Sequence, residues 1–261
     1  MRAQYSGRSN LWLNKFMNKK YKIIIIVCLI LIIAAGGGWW YWQPSIGKNK
    51  EQDKIAFDTG FTLLDDEKNL IWAEAVQLSD EARVQFENKV KEIKADLTVA
   101  KEKDQLLADY NNLAIYQKYL GNYRESYDAY LESLKLENQA RVAWQNLADV
   151  LLKIKAIKSA EMAYKKAVDL NKYIPESYVK LADYYKAMND DGQVEATYKL
   201  AIETIKESLE SDTLVLNDYA NWLADKKRYD EAIKIYEELI VKQPENKEAI
   251  ERKIENIKSK L

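Results

Sequence analysis

Four tyrosines, Tyr130, Tyr164, Tyr198 and Tyr236, recur at intervals of 34, 34 and 38 residues, and several other columns keep the same step. Ala114, Ala148, Ala182 and Ala220 follow it, with Leu113, Leu147, Leu181 and Tyr219 one residue before each alanine. Tyr110, Trp144, Tyr178 and Leu216 stand four positions before those alanines. Small residues recur as Ser126, Ala160, Val194 and Ala232, and again in Ser133, Ala167 and Ala201, with Leu239 in that column's last place. A step near 34 with two helical patterns per unit restricts the chain to a stack of similar helix pairs. One pair alone cannot bury its apolar face, so neighbours must share a core. Only 8 glycines and 3 prolines interrupt the chain, which favours helix over sheet.

The pattern resembles the tetratricopeptide repeat family, over about 140 of the 261 residues. The units are 107–140, 141–174, 175–208 and 213–246, with the insertion "LESD" before the last. Trp144, Leu147 and Ala148 match the family's large aromatic, leucine and small residue. "YDEA" at 229–232 and, more loosely, "YRES" at 123–126 match the opening of its second helix, and Pro244 its closing proline. Departures are Gln117 at a position that is usually large and apolar, "NDDGQVEA" at the third turn, and no closing proline in the third unit. The resemblance implies an all-α, right-handed solenoid of about four helix pairs. Alanine at each crossing lets two backbones approach to about 8–9 Å, and the tyrosine of the second helix fills the wedge beside it. Tyr130 is therefore expected in the core, whereas Tyr123 and Tyr127 read as flanking, packing or solvent-edge positions.

In this family the inner wall of the stack is built by the first helices and holds an extended peptide or a partner's helix. Carried over by column, that groove would present Asn111, Ile115, Lys118 and Tyr119 from the first unit. The second unit supplies Gln145, Asp149, Leu152 and Lys153, the third Val179, Asp183 and Lys186, and the fourth Asn217, Asn221 and Asp225. Amides at such positions bond a peptide backbone without reading its sequence. The plainer reading of each residue is a solvated helix face. The Lys and Asn clamp of the carboxylate-gripping chaperone subfamily is absent, because Asn111 and Ile115 stand at its first-unit positions.

Outside the repeats, "KEAIERKIENIKSKL" at 247–261 sets Ile250, Ile254 and Ile257 on one face and reads as a C-terminal capping helix. Helical patterning from Leu63 through "LIWAEAVQ", then a long helix from Ser79 or Asp80 to about Asp104, predicts a non-repeat helical hairpin over 61–106. The second helix carries a stripe of Ala82, Phe86, Val90, Ile93, Leu97 and Ala100. Such a stripe packs within the chain, or else forms a short dimerising coiled coil.

The N-terminal fifth is of a different character. No charged residue occurs from Ile23 to Gly47, and Ile23 to Trp42 spans 20 residues. As a helix that is about 30 Å, one hydrocarbon thickness. Trp39, Trp40, Tyr41 and Trp42 close the run as an aromatic belt, with Trp12 and Tyr21 at the other interface. Residues 1–47 hold six basic groups and no acid, leaving 34 basic against 41 acidic residues after them. The expectation is a basic cytoplasmic tail over 1–22, a transmembrane helix over 23–42 and a tether over 43–60. The large C-terminal part would then lie outside the cytoplasmic membrane, in a prokaryote. A cleavable signal peptide is the alternative, because "IIAAGGG" offers small residues to a peptidase. Cys28 lies mid-span after Val27, which does not suit a lipoprotein site.

Composition narrows the function further. There is no histidine and one cysteine, which removes His-based triads and Cys/His zinc sites. The mildly acidic main part argues against nucleic acid as a partner. Neither cofactor nor metal is expected. The expected function is a non-enzymatic, membrane-tethered scaffold that binds a partner protein or peptide for assembly, export or quality control. The alternative is an oligomeric structural part of a cell-envelope complex. A carboxylate enzyme using Asp65, Asp66 and Glu67 is a third reading, set against the common role of acids in a polar turn as helix caps.

Overall fold

The chain divides by contacts into two units, Met1–Ile55 and Ala56–Leu261. The computed structural model describes residues 61–261 apart from 65, 68, 209 and 210, all within the second unit. The expected tail, transmembrane helix and tether lie outside the described residues. Among those described, no helix is long and apolar enough to cross a membrane.

Ten α-helices follow one another in these residues: α1 (Asp80–Asp96), α2 (Lys103–Tyr119), α3 (Tyr123–Leu136), α4 (Arg141–Lys153), α5 (Ile157–Leu170), α6 (Pro175–Ala187), α7 (Asp191–Ile205), α8 (Thr213–Asp225), α9 (Tyr229–Lys242) and α10 (Lys247–Lys258). Helices α2/α3, α4/α5, α6/α7 and α8/α9 form four pairs, each joined by a three-residue turn, and each pair packs on the next. The all-α repeat solenoid expected from the 34-residue step is the architecture observed. One continuous apolar core runs through it from Phe61 to Ile257.

The column residues build that core. Ala114, Ala148, Ala182 and Ala220 are completely buried, as are Ala160, Val194 and Ala232 on the second helices. Leu113, Tyr130, Trp144, Leu147, Tyr164, Tyr178, Leu181, Tyr198 and Tyr236 are buried around them. Tyr110 alone of the expected core positions is only half-buried. Small residues at the crossings also admit polar locks: the Ser126 hydroxyl donates to the Ala114 carbonyl at 2.7 Å. Trp144 and Tyr178, in one column, each donate to the carbonyl six residues earlier, Asn138 and Lys172, and so pin the loop between units.

The turn inside each pair repeats its geometry. Gly121, Lys155, Asn189 and Lys227, one per unit, all adopt positive φ, at 80°, 68°, 56° and 60°. The following amide reaches back five residues, as in Asn122 N–H to the Gln117 carbonyl and Arg228 N–H to the Leu223 carbonyl. This left-handed closure satisfies carbonyls that the helix end would leave unpaired. The atypical Gln117 is buried here, and its Oε1 accepts from the Asn122 side chain at 2.8 Å, which stiffens the first turn. At the third turn, Asp190 of "NDDGQVEA" caps α7 by accepting from the Gln193 amide.

Residues 61–106 depart from the expected helical hairpin. Within this stretch only α1 and, from Lys103, the start of α2 are helical. Helix α1 ends at Asp96 instead of near Asp104, and the described residues of 61–79 run without a helix along the first two units. The apolar spacing in "LIWAEAVQ" serves an extended strap whose neighbours, not its own turns, supply its hydrogen bonds. The α1 stripe is covered from within the chain: α1 packs on α2, with Phe86 against Tyr116 and Tyr119 at 5.7 and 5.5 Å. At the far end α10 buries Ile250, Ile254 and Ile257 against the array.

Candidate functional site: the first-helix wall and its strap

The first helices α2, α4, α6 and α8 present a wall of polar side chains that are largely paired from one unit to the next. Asp149 lies 3.7 Å from both Lys118 and Lys180, and accepts the Tyr164 hydroxyl at 2.5 Å. Lys186 bridges Asp183 and Asp218 at 3.0 and 2.9 Å, and Asp218 also accepts the Tyr198 hydroxyl. Burial disfavours the Lys186 charge, but the two carboxylates more than offset it and hold its pKa above the ordinary lysine value. Burial, reinforced by Asp149 and Asp218, pushes the Tyr164 and Tyr198 phenols far up, so both stay protonated donors. Lys253 of α10 donates to Asn217 at 2.9 Å and reaches Asn221 at 3.4 Å, carrying the ladder onto the cap.

This pairing divides the fourteen groove candidates. Lys118, Tyr119, Asp149, Leu152 and Lys153 come together around an open cleft of about 550 Å³. Gln145 does not: it is buried, accepts from Arg141 at 2.7 Å and donates to Ser177 at 3.3 Å, tying unit two to unit three. Asn111 spends an amide hydrogen on the Leu107 carbonyl of its own helix. Ile115 and Val179 pack half-buried against the core. Asn217 and Asn221 are engaged by the cap, while Asp183 and Asp225 remain exposed.

The rest of the cleft comes from residues outside the repeat columns: Ile71, Glu74 and Val76 of the strap, with Tyr123 and Lys155. The strap is held by backbone pairing at two turns. Ile71 N–H donates to the Ile154 carbonyl and Glu74 N–H to the Gly121 carbonyl, both at 3.0 Å, while the Trp72 carbonyl accepts from Arg124 N–H at 3.1 Å. Ala73 faces Asn122 in an isolated antiparallel bridge. Trp72 lies edge-on to Tyr127 at 5.6 Å, with the Arg124 guanidinium 3.4 Å from its ring centre. Tyr123 donates to Glu74 at 2.7 Å. Tyr123 and Tyr127 are therefore buried, at 2% and 6% exposed, where the spacing predicts flanking positions. Burial pushes both phenols up to about 12, with the nearby acids Glu74 and Asp128 adding to it. Glu67 is a helix cap after all, but for a distant helix: it accepts from the Lys158 and Ser159 amides at the start of α5.

Charge in the cleft is uneven. Glu74 and Asp149 are both engaged, whereas among the described residues Lys153 and Lys155 form no ion pair. The lining thus combines an apolar strip of Val76, Leu152 and Ile71 with two lysines open to a carboxylate.

A stack of helix pairs sharing one core, with a polar first-helix wall, defines the class: a helical-repeat array. The family model described as tetratricopeptide repeat matches residues 142–173, the second unit, and supports that reading of the array. No curated protein gives a significant match. Solved structures similar to the chain include MamA, at 18% identity and a TM-score of 0.47, covering 66% of this chain and 97% of that one. YrrB, described as a tetratricopeptide protein with an unusual peptide-binding site, is 18% identical at a TM-score of 0.40, covering 61% of this chain and 76% of its own. TTC0263 of Thermus thermophilus is 15% identical at 0.44, covering 68% and 89%. These likenesses are of general helical architecture and nothing more specific.

Proposed function

We propose that the chain is a non-catalytic interaction platform that holds a protein or peptide partner at the cytoplasmic membrane. One transmembrane helix over residues 23–42 tethers the array at the outer face, with the basic residues 1–22 inside, and the first-helix wall receives the partner. Tetratricopeptide arrays generally mediate contacts between proteins. The observation that carries the reading for this chain is the cleft of about 550 Å³ beside Lys153, where apolar side chains lie between lysines without an ion pair. A partner segment pairing a carboxylate with a large apolar residue suits that lining.

The test is photocrosslinking in the native membrane, with a photoreactive residue replacing Lys153 in the cleft and, as control, Glu237 on the exposed side of α9. The expected outcome is one distinct protein captured at 153 and not at 237. Equal capture at both, or self-crosslinks alone, sinks the platform reading and favours an oligomeric structural component.

A further inference from the structure

A second docking edge lies beside the wall, and a peptide from the same chain already occupies it. Its backbone is the row of turns that start the second helices of units one and two. The helices α3 and α5 begin without a side-chain cap of their own: Ala156 offers no acceptor, and the Asn122 amide is turned to Gln117. The strap supplies what is missing. The Trp72 carbonyl takes the Arg124 amide, and the Glu67 carboxylate takes the Lys158 and Ser159 amides at 2.8 and 3.1 Å as well as the Ser159 hydroxyl. Acceptors and negative charge suit helix N-termini, where N–H groups point outward and the dipole is positive. In unit three, Asp190 does this job from within the helix's own turn.

Glycine at 121 shows that the edge is shaped for a visiting backbone. All four turns hold a left-handed residue, yet units two to four manage it with Lys155, Asn189 and Lys227. Conformation alone therefore does not demand glycine. A Cβ on Gly121 would stand 2.0 Å from the Glu74 carbonyl oxygen, so the close crossing at this turn requires glycine, whereas at the unit-two turn, where Ile71 pairs with Ile154, Lys155 is accommodated. Along the strap, Ile71, Ala73, Glu74 and Ala75 are exposed, whereas Leu70 and Trp72 pack half-buried against the core, so lifting this stretch uncovers Tyr123 and Tyr127.

We propose that this edge is a binding site for an extended acidic segment of a partner protein, and that the strap, through Glu67, Ile71, Trp72 and Glu74, is its resident occupant. The register it reads is a glutamate, then four residues, a tryptophan, one residue, and a second glutamate. The first glutamate caps α5, the tryptophan fills the slot between Arg124 and Tyr127, and the second glutamate meets Tyr123, while main-chain bonds at two turns add affinity without sequence demand. Because the occupant is tethered, its effective concentration is in the millimolar range, and a partner enters by exchange. Ile71, Glu74 and Tyr123 also line the cleft beside Lys153, so exchange of the strap reshapes that cleft. Partner capture at 153 and peptide exchange at this edge are read in separate experiments, and the failure of one is distinguishable from the failure of the other.

The experiment uses the full chain in detergent. Ile71→Pro with Glu74→Pro changes no array residue but removes the two strap amides that meet turn carbonyls and, with Glu74, the acceptor of the Tyr123 hydroxyl. The Leu64 amide, which donates to Ser159 at 3.3 Å, is left in place. The probe is a fluorescent synthetic peptide with the sequence of residues 63–78. The expected result is saturable binding to the double variant, at least about tenfold tighter than to the parent chain, and lost when Gly121→Ala is added. Peptides carrying Glu67→Gln or Trp72→Ala should each bind about tenfold more weakly. A double variant that keeps its helical circular dichroism and cooperative melting but ignores the peptide overturns the proposal. So does binding that is indifferent to Gly121→Ala. Should the double variant fail to fold, hydrogen exchange on the parent chain decides. The Ile71, Glu74 and Arg124 amides should exchange at least about a hundredfold faster than those of Leu147 and Ala148, through local opening. Exchange of all five only by global unfolding makes the strap an inseparable part of the fold.

Discussion

At the scale of single residues, the tyrosine column shows how a repeat can keep a side chain and lose its partner. Tyr164 and Tyr236 donate to the residue fifteen places earlier, Asp149 and Asn221, and Tyr198 donates to Asp218 of the following unit. The residue fifteen before Tyr130 is Ile115, and the buried Tyr130 hydroxyl has no hydrogen-bond partner. Removing an unpartnered buried hydroxyl relieves a desolvation penalty, while removing a paired one strands its acceptor. Tyr130→Phe is thus expected to leave stability unchanged or raise it, and Tyr198→Phe to lower it by about 1–2 kcal/mol. Urea-unfolding midpoints at equal slope check this; equal losses for both would show that Tyr130 has an acceptor in solution. The column itself was legible, since a large residue recurring at 34 has to fill the same wedge each time. Its hydrogen bonds were not, because the acceptor lies on another helix whose rotation the spacing does not state.

At the scale of elements, the join between units three and four rests on Arg228, at the start of α9. Its guanidinium meets Glu195 of α7 at 2.6 and 3.1 Å and Glu231 at 2.6 Å. Hydrogen bonds from Arg228, then Lys199, hold the Glu195 carboxyl down at about 2, from an ordinary value of 4.5. A depressed carboxyl stabilises the fold above its unfolded pKa, and that contribution is lost as pH falls through the folded one. Arg228→Gln should therefore destabilise the chain by a constant amount from pH 7 to about 5. The gap to the parent should then close between about 4.5 and 2, and urea midpoints across that range measure it. A gap that persists at pH 2 would assign the role of Arg228 to packing on Trp222, 5.8 Å from its guanidinium, instead of to charge. The strap was the least legible element. Residues 61–79 have local helical spacing, but Gly121 and the uncapped starts of α3 and α5 offer an extended chain hydrogen bonds that a surface helix would forgo.

At the scale of the whole molecule, units touch only their neighbours, so stability is a sum of local interfaces and the ends matter most. The cap α10 closes the array by burying Ile250, Ile254 and Ile257. Ile254→Ala is expected to cost about 2–4 kcal/mol locally. Amide protection should fall in α8 and α9 while α2 and α3 stay as they were. Hydrogen exchange read by segment tests this, and a uniform loss along the chain would show that the array unfolds as one unit.

The amino-acid order alone dictates the period, and with it the helix pairs, their crossings and the core, because each unit must bury the same face against the next. It also marks the first-helix wall, although Gln145, Asn217 and Asn221 prove to be engaged with neighbouring units and the cap. Which wall residues stay open, and that the described residues of 61–79 form no helix and cross two turns, emerged only from the folded arrangement. Both depend on contacts between segments tens of residues apart, where a hydrogen bond offered by another helix outweighs the local preference that periodicity records.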